Sequence, residues 1–266
     1  GLDIPRGAHF HEVLIHFGTH LVDINPWVLA VSLITLASGV LGPLAWLTVH
    51  NAPSWQTSFA ATLWANIAVS LALFALVSAV FDQAWRLGSL LAGYLLLLGI
   101  GAVVWQDAPG EPLQAVPSDR AWVIAHIAFG IITYGLVTIA SIAAFAAAQQ
   151  ERSLKRKQPS LLVRHLPSIA HCERLQLSLL QSGWGVLGVG LATGMALQWH
   201  ESRQLLLFNH KITLTLAAFA VISGLLAAQR WGGVRGRRAG RLMLLGYLLL
   251  TLGYPGVKFV SEVLIG

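Results

Sequence analysis

Seven apolar runs, each close to the length of a membrane crossing, constrain this chain more than any other feature of its sequence. They lie at about 27–48, 59–80, 87–105, 121–148, 175–198, 212–228 and 239–264. A helix needs about 20 predominantly apolar residues to cross a hydrocarbon core. In lipid only helices and closed barrels satisfy every backbone hydrogen bond, and long runs without strand alternation select helices. The expected fold class is all-α: a polytopic integral membrane bundle of about seven transmembrane helices, one domain over residues 27–266. Composition agrees, since charged residues make up 11% of the chain where soluble domains carry about 25%. The chain opens on Gly1 without a methionine, which leaves room for one further helix upstream.

Basic residues set the expected orientation. The 149–174 connection holds Arg152, Lys155, Arg156, Lys157, Arg164 and Arg174, and the 229–241 connection holds Arg230, Arg235, Arg237, Arg238 and Arg241. These are eleven of the seventeen Lys and Arg residues. Short connections rich in Lys and Arg stay on the cytoplasmic side. The 106–120 connection, with Asp107, Glu111 and Asp119 against Arg120, and the nearly balanced 199–211 connection then face the outer or periplasmic side. Strict alternation of helices gives the same answer. The formal charge of +6 is thus explained by topology in a bacterial-type inner membrane, and no nucleic-acid partner is implied. Anionic lipid contact is the functional alternative for the Arg235–Arg238 cluster.

Residues 1–26 carry His9, His11, His16 and His20 and read as an interfacial segment. His9, His16 and His20 fit one helical face, but no Cys or carboxylate sits at a spacing that makes a metal site. Cys172 is the single cysteine, so disulfide and CxxC chemistry within the chain are excluded. Gln149–Gln158 is charged and helix-prone up to Pro159, predicting a membrane-parallel or protruding helix. Pro255 should bend or break the last helix, and Pro43 the first.

Two histidines stand out. His126 lies about 10 Å along a helix that starts at the capping sequence Pro117-Ser118-Asp119, toward the outer end of its span. It shares a face with Gly130, Thr133, Tyr134, Val137 and Ser141, and Gly130 leaves room for a flat ligand or a close helix. Ionisable residues within spans are functional hypotheses by default; the alternative is a neutral histidine bonded to a neighbouring helix. His210 opens the sixth span on the same outer side, where the helix dipole favours neutral imidazole. Lys211 beside it is a cation at a helix N-terminus, which a bound anion would relieve and snorkelling would also explain. Gly190-Leu-Ala-Thr-Gly194 is a GxxxG pattern for close helix approach, and Trp184 and Trp199 suit an aromatic belt. No nucleophile triad, carboxylate pair, phosphate loop or HExxH helix occurs in the spans, so catalytic residues stay unassigned. Asn66, Ser70 and Ser78 are too weak a mid-membrane set to support an ion transporter.

Over residues 120–260 the chain resembles the cytochrome c assembly family, the CcsA-type haem-handling membrane proteins. The resemblance rests on Ala125-His126-Ile127, Thr133-Tyr134-Gly135, Glu173-Arg174-Leu175, Gly190–Gly194, Asn209-His210-Lys211, Arg235–Ala239, Leu245-Gly246-Tyr247 and Tyr254-Pro255-Gly256, in the family's order. It implies binding of b-type haem at the outer face and its presentation to apocytochrome c or another assembly factor. Any enzymatic role would be of the haem-lyase type. His126 and His210 become the axial candidates for haem iron, with Lys211 and Tyr134 beside the cofactor and His200 as reserve ligand. The family's tryptophan-rich WGxxWxWD segment has no counterpart in Gln198–Phe208, and Ala227 stands where many members carry a membrane histidine. In these features the chain is similar to the shorter, YpjD-like branch. The alternative reading is a non-enzymatic accessory protein that keeps the fold, has lost haem, and supports a partner complex or transporter.

Overall fold

The computed structural model describes residues 39–45, 47–48, 58–81, 83–108, 120–156, 163, 165–202, 210–234 and 236–264. The histidine-bearing segment 1–26 and most of the first apolar run lie outside the described residues. The part of that run that is described, 39–45 and 47–48, is helical. Among the described residues there are no strands, and six helices are long and apolar enough to cross a membrane.

We number these α1 (Phe59–Val80), α2 (Gly88–Val104, entered through a 3-10 turn at Ala84–Leu87), α3 (Arg120–Arg156), α4 (Ile169–Ser202), α5 (His210–Trp231) and α6 (Arg237–Thr251). Beyond Thr251, α6 continues without interruption to Leu264 through two π-helical turns. Ser58 starts α1, its hydroxyl accepting a hydrogen bond from the Ala61 amide at 3.2 Å, which satisfies one of the orphan donors of a helix start. Gln83, with φ of 63°, makes the tight reversal between α1 and the 3-10 turn. Gly233 ends the reversal after α5 at φ of 61°, a left-handed conformation that an L side chain resists. These short connections make neighbouring helices antiparallel.

The spans expected from hydropathy match α1 to α6 within a few residues at most ends, with two informative differences. α3 runs 37 residues, about 55 Å, so its last turns extend well past any hydrocarbon core. The protruding helix expected after Gln149 is therefore the end of α3 itself. α4 begins six residues before the apolar pattern, at Ile169, because Ser168 and Cys172 close its first turn: the Cys172 amide donates to the Ser168 carbonyl at 3.0 Å. Trp184 lies near the middle of α4 and meets α5. Its indole N–H donates to Ser223 at 2.7 Å and its ring stacks on Phe219 at 5.7 Å. Pro255 leaves the last helix continuous: the backbone widens to a π-turn over Leu252–Gly256, which absorbs the missing N–H and the ring's bulk.

Glycines set the helix spacings. A Cβ on Gly183 of α4 would lie 3.1 Å from Val137 of α3, and one on Gly190 would lie 3.4 Å from Phe129. Gly246 and Gly253 bring α6 against α5 in the same way, with Ile222 and Leu214 each at 3.1 Å. In lipid, where burial from water does not drive helices together, such close approach and its dispersion contacts hold the bundle. Phe59, Trp105 and Phe259 pack with ring centroids 5.2–6.1 Å apart, Trp105 edge to face with both phenylalanines, and join α1, α2 and the last helix at one end. Overpacking of this kind costs about 1–3 kcal/mol. Gly183→Val should lower the thermal unfolding midpoint in detergent, while Gly185→Val, whose Cβ meets nothing within 4 Å, should leave it in place.

Candidate functional site

His126 sits two turns into α3 and points across to the C-terminal half of α4. Its Nδ1 lies 3.0 Å from the Gly190 carbonyl and 3.3 Å from the Thr193 hydroxyl. A carbonyl only accepts, so Nδ1 carries the proton and donates. In the neutral ring this leaves Nε2 with a lone pair. Thr193 itself donates to the same Gly190 carbonyl at 2.9 Å. Gly194 makes the approach possible, because a Cβ there would stand 2.8 Å from His126 Cε1 and 3.5 Å from its Nε2. The GxxxG pattern of α4 thus seats an imidazole as well as a helix. One turn along α3, a Cβ on Gly130 would meet nothing within 4 Å, so the face beside His126 is open among the described residues.

His210 and Lys211 are exposed in the first turn of α5. The chain alternation places them at the same end of the bundle as His126: the start of α3 packs on the end of α4, and α5 begins eight residues after Ser202. The histidines share an end of the bundle. His200 lies in the last turns of α4, and its side chain is outside the described residues. No group of three or more His, Cys, Asp and Glu side chains that could hold a metal ion occurs among the described residues. Haem iron needs only one or two axial donors, and a histidine with one nitrogen fixed by a carbonyl is the usual form of such a ligand.

Tyr134 is eight residues beyond His126, about 12 Å along the helix, and belongs to another constellation. All four tyrosines of the chain converge on it from α2, α3 and α6. The hydroxyls of Tyr94 and Tyr134 lie 3.0 Å apart and those of Tyr134 and Tyr247 3.2 Å apart, and Tyr247 donates to Tyr94, closing a triangle. Thr251 adds a hydroxyl 3.3 Å from Tyr134, and Thr138 donates to Tyr247 at 3.4 Å. The ring of Tyr254 lies 6.5 Å from that of Tyr134. Sequence reading singled out Tyr134 alone, since tyrosines scattered through apolar helices read as packing. The available signal was that no tyrosine of this chain lies outside the spans. At the opposite end from His126, a cleft of about 400 Å³ between α4 and α5 is lined by Gln181, Trp184, Ser223, Gln229 and Arg230 among others.

The comparisons with known proteins bear on this geometry. The model of the family described as cytochrome C assembly protein matches residues 29–265. The chain belongs to the cytochrome c assembly protein family. An uncharacterised 28.8 kDa protein from the 5′ region of a nifR3-like gene of Azospirillum brasilense is 48% identical over 231 residues, 87% of this chain and 85% of that protein. The inner membrane protein YpjD of Escherichia coli K12 is 27% identical over 153 residues, 57% of this chain and 55% of YpjD. No solved structure matches. The six crossings and these relatives make the chain a multi-pass membrane protein with a YpjD-like character.

Because Gly194 is what admits the imidazole, Gly194→Val should drive His126 off the Gly190 carbonyl. Carbethoxylation of His126 by diethyl pyrocarbonate, read by mass spectrometry, should rise in that variant and stay at the parent level in Gly185→Val.

Proposed function

We propose that this protein handles b-type haem at the end of the bundle that carries His126 and His210, as a membrane component of cytochrome c assembly. The observation that carries the reading is the fixed tautomer of His126: Nδ1 is held by Gly190 and Thr193, which reserves Nε2 for a metal. The open face beside Gly130 suits a planar ring. Lys211, a cation at the start of α5, gains what it needs if an anion such as a haem propionate lies near it. Haem, when bound, supplies the iron porphyrin that the family attaches to apocytochrome c. The residues of this chain bind and orient it, with His126 and His210 as axial candidates and His200 in reserve.

Eleven basic residues in the 149–174 and 229–241 connections support a cytoplasmic position for those connections in a bacterial inner membrane. The histidine end then faces outward, the side from which an apocytochrome partner would take haem. Lyase chemistry is not part of the proposal. A second reading, a haem-free accessory protein with the same fold, is favoured by one feature: Gln198–Phe208 carries Trp199 alone in place of a tryptophan-rich haem segment.

Absorption spectroscopy separates the two. Protein purified in mild detergent from haem-replete cells should show a Soret band, and His126→Ala should abolish or strongly shift it with an unchanged elution profile. His210→Ala should alter the band if it is the second axial ligand. Protein without a Soret band, or with one indifferent to His126→Ala and His210→Ala, supports the accessory reading.

A further inference from the structure

Thr62, Asn66 and Ser70 recur every four residues on α1, so they form one stripe along that helix. They are 6%, 1% and 1% exposed, and Thr133 on α3 is 2% exposed. Both amide atoms of Asn66 and the hydroxyls of Ser70 and Thr133 are buried without a protein partner. The stripe faces the tyrosine cluster: the Cβ position of Gly135, next to Tyr134, is 3.6 Å from Ser70 Oγ, and the π-turn that carries Tyr254 packs on α1. An orphaned amide or hydroxyl in an apolar interior is costly, so Asn66 and Ser70, one turn apart on α1, call for a shared partner.

The chemistry of that partner is narrow. Asn66 and Ser70 both donate and accept, and no charged residue lies on α1 between Phe59 and Val80. The nearby Lys258 and Glu262 neutralise each other at 2.9 Å. An ion would find no countercharge. The helices also stand too close for a bulky molecule, since a Cβ on Gly135 would already lie 2.8 Å from Leu73. Water is the small, neutral donor and acceptor that meets these conditions, and buried waters are held by two to four such groups.

We propose that Thr62, Asn66 and Ser70 bind a short file of water molecules that leads from the His126 end of the bundle to the tyrosine cluster. The file runs from Thr62 to Ser70, about 12 Å along the helix. Phe74, the next residue of the stripe, is buried and packs against Gly88, so the file is closed below. It gives the hydroxyls of Tyr134, Tyr94 and Tyr247 exchange of protons with one side of the membrane and none with the other. It is a one-sided proton-access path, not a conducting channel.

X-ray hydroxyl-radical footprinting tests this on the intact protein in nanodiscs, because water radiolysed in place oxidises the side chains that touch it. Tyr134 and Tyr254 should be modified despite their burial, and Asn66→Leu should cut that modification severalfold while exposed Trp231 is unaffected. Absence of labelling at both tyrosines in the parent, or equal labelling in Asn66→Leu, overturns the proposal. If Asn66→Leu does not fold, Ser70→Ala takes its place. Infrared spectra of the parent on transfer to D2O give an independent decision: tyrosine O–H groups served by the file exchange at once, and sealed ones exchange slowly.

Discussion

The pairing of α3 with α4 is the contact on which the rest of the molecule depends. Both helices are longer than a membrane crossing, and they lie antiparallel with Gly183, Gly190 and Gly194 of α4 turned to α3. Val137 fills the space at Gly183, Phe129 that at Gly190, and His126 that at Gly194. In lipid, backbone proximity of this kind replaces the burial from water that drives soluble cores together. The same geometry that brings the backbones close makes the Gly190 carbonyl available to His126. Packing and site are one arrangement there, and the other helices add to it: α1 and α6 pack on α3, and α5 packs on α4.

Much of this was legible in hydropathy and charge. Apolar length gave the crossings from Phe59 to Leu264, because the bilayer imposes a fixed measure on any helix that spans it. Helix ends were less legible where polar residues extend a helix beyond the apolar stretch, as in Gln149–Arg156 and in Ile169–Arg174. The effect of Pro255 was only half visible, since sequence marks the lost donor but not whether the backbone breaks or widens. Of the site, His126 and the GxxxG pattern were each evident, yet their contact was not: it depends on the axial register of two helices, which periodicity leaves free. Asn66 and Ser70 read as a weak set for the same reason. A polar side chain in a span has little meaning until its neighbours are known.

The two polar regions have different characters. At His126, hydrogen bonds to α4 are made within the protein and leave one nitrogen for an outside group. Around Tyr134, hydroxyls from three helices satisfy one another, while the stripe on α1 beside them does not. The first region is the one on which the proposed haem role rests. The second arises where α2, α3 and α6 meet beside α1.

The π-turn at Leu252–Gly256 has a consequence for the end of the chain. Each π-turn holds one residue more than an α-turn and so rotates everything after it by roughly 100° about the helix axis. That rotation aims Glu262 at the start of α1, where its carboxylate accepts the Phe59 amide while also pairing with Lys258. A carboxylate that would otherwise face hydrocarbon is turned into a cap for a helix more than two hundred residues earlier in the chain. Proline and the extra residue therefore act together as an angular gear. Losing one residue within Leu252–Gly256 would turn an acid out of its socket without altering a single side chain at the cap itself.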